Sequence, residues 1–248
     1  MKNQSKNGII RLKLKYASEE QRQQWILQDK ESKKHYYHTD PITRAENQLK
    51  SAIHKGWAKE DDKIPLLIIL YVIRQRAFCY FCGEPPSHDG SIDLGADRLD
   101  STKTYMESYR TNALVPCCHF CNDAKATMSE TSFLQFAKNV VGYQDNHLAA
   151  ILPIKPRKQK VLWREFVRGA SRIIEIDESH FLLLQQLPCH HCGYLDPNGS
   201  GFDRYRNDEI YSLANSYPCC WPCNNAKKNY PAEYFYKKCR FIVAHQSK

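Results

Sequence analysis

The chain has 248 residues, 36 Lys and Arg against 27 Asp and Glu, a formal net charge of +9 and 11 cysteines. Its longest apolar run, Leu66 to Ile73, falls far short of the ~18 residues that a membrane-crossing helix needs, so it predicts a core helix and no membrane partner. An odd number of cysteines grouped as Cys-x-x-Cys pairs argues against a secreted disulfide framework and for zinc ligation in a reducing, intracellular compartment.

Residues 1–63 form a basic leader with helix signals at Ser18-Glu19-Glu20 and after Asp40-Pro41, where Asp suits the N-cap and Pro the first turn. Met1 to Ala17 holds five basic residues and no acid, a weak transit-like pattern that leaves an organelle open. Lys33, Lys34, His35, Tyr36 and Tyr37 mix charge with stacking rings, which suits a nucleic-acid backbone as well as a solvated helix face.

Two matched units follow. An apolar helix (Pro65 to Arg76; Ser179 to Leu187) enters a first Cys-x-x-Cys pair (Cys79 and Cys82; Cys189 and Cys192), and a polar segment leads to Asp97-Arg98 or Asp203-Arg204. A turn-rich stretch then reaches a second pair at a helix start (Cys118 and Cys121; Cys220 and Cys223), closed by Asn122 or Asn224, and an aromatic helix ends each unit (Glu130 to Val141; Ala232 to Val243). Matched order over 70 to 80 residues is an internal duplication. The expected organisation is therefore leader 1–63, first zinc unit 64–150, basic linker and helix 151–178, and second zinc unit 179–248. Within the linker, Pro153 to Lys160 reads as a stiff basic connector, and Val161 to Ile176 as a helix that docks on the second unit.

Units this small bury too little apolar surface to fold alone, and a tetrahedral zinc between two knuckles would replace part of the missing core. Cys118 and Cys220 are preferred as ligands over their neighbours Cys117 and Cys219, because their spacing to Cys121 and Cys223 repeats that of the upstream knuckles. Cys117, Cys219 and Cys239 are then small buried hydrophobes. Eight thiolates and two Zn²⁺ bring the net charge to about +5, still that of a polyanion binder.

A four-thiolate zinc has no open position for water, so it is structural. The oxygen donors Asp97 with Asn122, and Asp203 with Asn224, are of the kind that holds a harder catalytic cation, Mg²⁺ or Mn²⁺. Each Asn opens a helix, where free N–H groups also favour phosphate.

These motifs resemble the HNH (ββα-metal) nucleases, in the branch with Cys-x-x-Cys, Asp-Arg, Tyr-x-x-x-Asn, Pro-Cys-Cys-x-x-Cys-Asn and a nearby Lys. The resemblance covers residues 64–145 and 179–245. It implies an α+β fold of two tandem zinc-stapled ββα domains flanked by helices, and hydrolysis of phosphodiester bonds, in DNA before RNA. It further implies that the Asp and last Asn of each unit hold the catalytic cation and that the residue after the Asp, usually His, activates water. Arg98 and Arg204 occupy that place, like the arginine variant of some rare-cutting HNH restriction enzymes. Arginine keeps its proton to a pKa above about 12, which leaves it to orient water and offset phosphorane charge.

The copies depart from the family in different ways. The second keeps its register through Tyr211, Asn215 and Pro218, with Asn215 as brace of the loop carrying the activating residue; the first is four residues longer and has Ala113 beside Asn112 at that place. His88 is a candidate base on a polar loop, and His190 and His191 are knuckle residues. Lys125, Lys227 and Lys228 lie about a helical turn past the metal Asn, where they would meet phosphate. Two active centres would let a monomer or a homodimer cut both strands, and one degenerate copy would leave a nicking enzyme. The rival expectation is a retired HNH fold kept as a zinc-stabilised RNA- or DNA-binding module in a ribonucleoprotein. A zinc-finger regulator would leave both Asp-Arg and Cys-Asn pairs idle.

Overall fold

The computed structural model describes residues 41–87, 92–148, 150, 158–169 and 174–247. Most of the leader, His88 and most of the basic connector lie outside these residues. Among those described, no helix is long and apolar enough to cross a membrane.

The fold is α+β, with many helices around two small sheets. Helix α1 (Pro41–His54) and a short 3-10 turn (Glu60–Asp62) lead into α2 (Lys63–Arg74). The first unit continues with β1 (Leu94–Arg98), α3 (Tyr105–Arg110), β2 (Leu114–Cys118), α4 (His119–Lys125) and α5 (Glu130–Asn146). The second has α6 (Trp163–Gly169), α7 (Glu178–Gln185), β3 (Gly201–Arg204), β4 (Ser216–Cys219), α8 (Trp221–Lys227) and α9 (Ala232–Gln246).

Helix starts follow local capping chemistry: Thr104 and Glu107 close a capping box on α3, Ser129 caps α5, and Asp177 caps α7. The extra residues of the first copy are thus spent on α3, a helix that the second copy lacks between its strands. Within the expected Val161 to Ile176, α6 is described over Trp163–Gly169, and Ile174 forms an isolated bridge to Tyr211 rather than a helical turn.

Each sheet is an antiparallel pair. Leu94 stands opposite Cys118 and Asp97 opposite Val115 in the first, and Gly201 opposite Cys219 and Asp203 opposite Tyr217 in the second. The knuckles repeat in detail. The Cys79 amide donates to Glu84 O and the Tyr80 amide to Pro116 O, as the Cys189 amide does to Tyr194 O and the His190 amide to Pro218 O. Gly83 and Gly193 close the two turns in the same left-handed conformation, φ +70° in both.

Helix α1, counted with the leader from sequence, packs into the first unit. Ala45, Leu49 and Ala52 meet Leu66, Leu70 and Ile73 of α2, and this layer covers Ala96 and Leu114 of the sheet. In the second unit, Trp163 and Phe166 of α6 pack on Phe181 and Phe202, whose rings stack with centroids 4.7 Å apart.

The units share one core that contains both cysteine clusters together with Phe133, Phe136, Phe235 and Ile242. Each terminal helix covers the knuckle of the other unit. From α5, Gln144 donates to His190 O (2.9 Å) and His191 O (3.1 Å), and the Tyr143 ring lies against Gly193. From α9, Gln246 donates to Tyr80 O (2.8 Å), and the His245 ring lies against Gly83. Neither position has room for a β-carbon. Arg240 of α9 also pairs with Asp145 of α5 at 2.5 Å.

Candidate metal centres and the paired carboxylates

The sulfurs of Cys79, Cys82, Cys118 and Cys121 lie within 4.8 Å of one another, as do those of Cys189, Cys192, Cys220 and Cys223, and all eight cysteines are buried. A zinc–sulfur bond of about 2.3 Å implies a tetrahedral edge of about 3.8 Å. The Cys82–Cys118 and Cys192–Cys220 sulfur separations are 3.8 and 3.7 Å. The donor set and its dimensions therefore fit structural zinc in both clusters. Cys117 and Cys219 stand outside them, each thiol donating to the next residue's carbonyl at 3.4 Å. Burial pushes the Cys239 thiol up, as for an inert core residue.

The Asp-Arg pairs sit at the ends of β1 and β3. Asp97 is 7 % exposed and Asp203 5 %. Lys125 from α4 places its Nζ 3.1 Å from Asp97 Oδ2 and donates to Arg98 O at 2.8 Å. Lys227 from α8 does the same to Asp203 (3.2 Å to Oδ1, 3.0 Å to Oδ2) and to Arg204 O (3.0 Å). Both lysines are 0 % exposed, so they do not meet phosphate as the sequence predicts, because each is consumed in neutralising the buried carboxylate beside it. Lys228 is exposed and pairs with Asp123 of the first unit at 3.0 Å.

The second carboxylate has a further partner. His191 Nε2 lies 3.1 Å from Asp203 Oδ2, and its Nδ1 lies 2.8 Å from the Tyr236 hydroxyl. In the first copy Phe81 takes the place of His191 and packs edge-on against Phe133, as His191 does against Phe235. Among the described residues Asp97 is left with Lys125 as its side-chain partner, and burial raises its pKa although Lys125 opposes the shift.

The two arginines make a repeated contact with aromatic rings. Arg98 lies over Trp57 (4.6 Å) and Tyr105 (5.4 Å) and donates to Lys103 O; Arg204 lies over Tyr211 (5.1 Å) and donates to Glu209 O at 3.0 Å. Each guanidinium is therefore a clamp on the loop after its strand. The seven-residue step from each arginine to an aromatic ring, Arg98 to Tyr105 and Arg204 to Tyr211, is visible in the chain, but its meaning needed the fold.

Asn215 is buried and braces the loop after Arg204, accepting from Arg206 N at 2.8 Å and donating to Arg206 O and Ile210 O, both at 3.0 Å. Asn224 donates to Phe202 O at 3.3 Å, beside Asp203. Its counterpart Asn122 is exposed, on the wall of a cavity of about 580 Å³ shared with Arg74, Gly95, Trp57 and His119.

Sequence reasoning missed Lys238. It stands in the aromatic repeat of α9, where a cation reads as solvent-facing. Yet it is fully buried, and its Nζ donates to Cys82 Sγ (3.2 Å), Cys118 Sγ (3.3 Å) and Glu84. Burial opposes its charge, but the Cys118, Cys121 and Cys82 thiolates and Glu84 hold the ammonium above the usual lysine range.

An uncharacterized protein of Acanthamoeba polyphaga mimivirus is 26 % identical to the chain over 171 residues, 66 % of this chain and 31 % of the viral protein. The chain thus spans about a third of that relative's length. No family model matches the chain. No solved structure matches it.

Proposed function

We propose that the chain is an HNH-type endonuclease that acts on nucleic acid, DNA before RNA, from its first unit, while the second unit is retired scaffold. The observation that carries this reading is the unequal treatment of the two carboxylates. Among the described residues Asp203 is held by both His191 and Lys227, whereas Asp97 has Lys125 alone, and its unit keeps Asn122 exposed on a cavity wall. Asp97 and Asn122 would hold Mg²⁺ or Mn²⁺, which supplies Lewis-acid polarisation of the scissile phosphate when bound. Lys125 would then release the carboxylate and keep its bond to Arg98 O. Arg98, clamped on Trp57 and Tyr105, shapes the loop and transfers no proton. The net charge, +9 in the bare chain and about +5 with eight thiolates and two Zn²⁺, favours a polyanionic partner.

Supercoiled plasmid and a folded RNA, each incubated with zinc-loaded protein and Mg²⁺ or Mn²⁺, test the reading. Nicked DNA should form, disappear with Asp97→Ala and persist with Asp203→Ala once rates are corrected for folded fraction. The reading fails if neither metal gives product, or if Asp97→Ala cuts as wild type does.

A second reading, a zinc-stabilised RNA- or DNA-binding module, is favoured by Lys125 itself: its buried ammonium supplies beside Asp97 the positive charge that a cation would bring. It predicts tight binding in buffer without free divalent cation, a steep fall in affinity with salt, and no cleavage under any condition.

A further inference from the structure

We propose that Lys238 is the counter-charge of the first zinc cluster, delivered across the molecule by the second unit, and that the two clusters consequently lose metal in a fixed order, the second before the first. A Zn²⁺ ion with four thiolates carries two net negative charges, which are costly to bury uncompensated. At the first cluster the Lys238 ammonium donates to the ligand sulfurs Cys82 Sγ at 3.2 Å and Cys118 Sγ at 3.3 Å. Such bonds place positive charge on the ligands and draw electron density from them, so acid or an alkylating agent attacks the sulfurs less readily.

Among the described residues, no Lys or Arg side chain donates to Cys189, Cys192, Cys220 or Cys223. The register that matches Tyr143 with His245 and Gln144 with Gln246 puts Phe136 of α5 where α9 has Lys238, and a phenyl ring has no proton to offer. The duplication has therefore given one cluster a cation and the other a hydrocarbon. Because Lys238 rides on α9, retention of the first zinc also depends on that helix staying docked.

The competing explanation is that Lys238 serves only Glu84, whose Oε2 lies 3.5 Å from Cys82 Sγ. Substituting each partner separates the two. Full-length zinc-loaded protein is challenged with excess chelator and a chromophoric zinc indicator, while timed samples are alkylated and the peptides bearing Cys79–Cys82 and Cys189–Cys192 are quantified by mass spectrometry. Wild-type protein should release zinc in two phases, with Cys189 and Cys192 modified first. Lys238→Met should speed the slower phase by roughly 10–100-fold, the usual effect of losing an outer-shell partner, and leave the faster one in place. Lys238→Arg should restore most of the delay, and Glu84→Gln should leave release unchanged or slow it.

The proposal is overturned if wild-type protein loses both zincs together or the first cluster's zinc first, or if Glu84→Gln accelerates release as much as Lys238→Met. Should Lys238→Met fail to fold, the wild-type order and the Glu84→Gln comparison still decide.

Discussion

His191 and Asp203 meet inside the second unit, imidazole Nε2 to carboxylate oxygen at 3.1 Å, at a position where the first unit has Phe81, a ring with no N–H to offer Asp97. One difference between the two knuckles thus separates the surroundings of the carboxylates: among the described residues one is held by two side chains, the other by one.

Replacing His191 by Phe should remove that lock and strand the Tyr236 hydroxyl as well. The cost should be about 1–3 kcal/mol, the range for losing a hydrogen bond to a buried charged group. Denaturant unfolding of the zinc-loaded variant measures it. A change within error of zero would show that Lys227 alone holds Asp203.

Asp97 should titrate above the ordinary aspartate range, because burial outweighs the pull of Lys125. The linkage then runs opposite to a usual salt-bridged carboxylate. Its contribution to stability is full below the unfolded-state pKa and is lost as pH rises through the higher folded pKa. Carboxyl-carbon NMR titration should find that elevated midpoint, and Lys125→Met should raise it further. Added Mg²⁺ or Mn²⁺ should lower it if Asp97 holds the cation, and leave it fixed if the second reading is right.

Gly193→Ala should be worse than Gly56→Ala. Both sites have positive φ, +70° and +71°, but a β-carbon at Gly56 meets nothing within 4 Å, while at Gly193 it runs into the Tyr143 ring. Backbone strain is common to both, and the clash should add at least ~1 kcal/mol, the lower end of overpacking costs. Equal thermal midpoints for the two variants would mean that α5 does not press on the second knuckle.

Phe235→Ala should cost about 3–5 kcal/mol, as large-to-small changes of buried aromatics do. Its ring touches Phe120 and Phe136 of the first unit and His191 of the second, so the loss should fall on both. Far-UV circular dichroism and zinc release should shift together in one transition. Two separated transitions would show that the units unfold independently.

Much of this protein is legible along the chain. Ligand spacing is a short-range property, and both cysteine sets read from sequence are the sets whose sulfurs converge. Helix α2 and the terminal helices α5 and α9 likewise lie where apolar periodicity puts them, because burying one face of a helix leaves a local, repeating mark. The candidate site was legible only as a set of residue types. Asp97 and Asp203 look alike in sequence, and the residue that separates their surroundings lies inside a zinc knuckle.

By itself, then, the sequence determined the duplication, the two four-thiolate frames and the Asp-Arg and Cys-Asn pairs that accompany them. Only the tertiary structure decided that each terminal helix covers the other unit's knuckle, that Arg98 and Arg204 turn onto aromatic rings, and that a lysine 156 residues from Cys82 donates to its sulfur. The reason is that spacing and periodicity record what neighbours in the chain do. A contact closed across that much chain is set by the shape of the shared core, and leaves no local pattern to read.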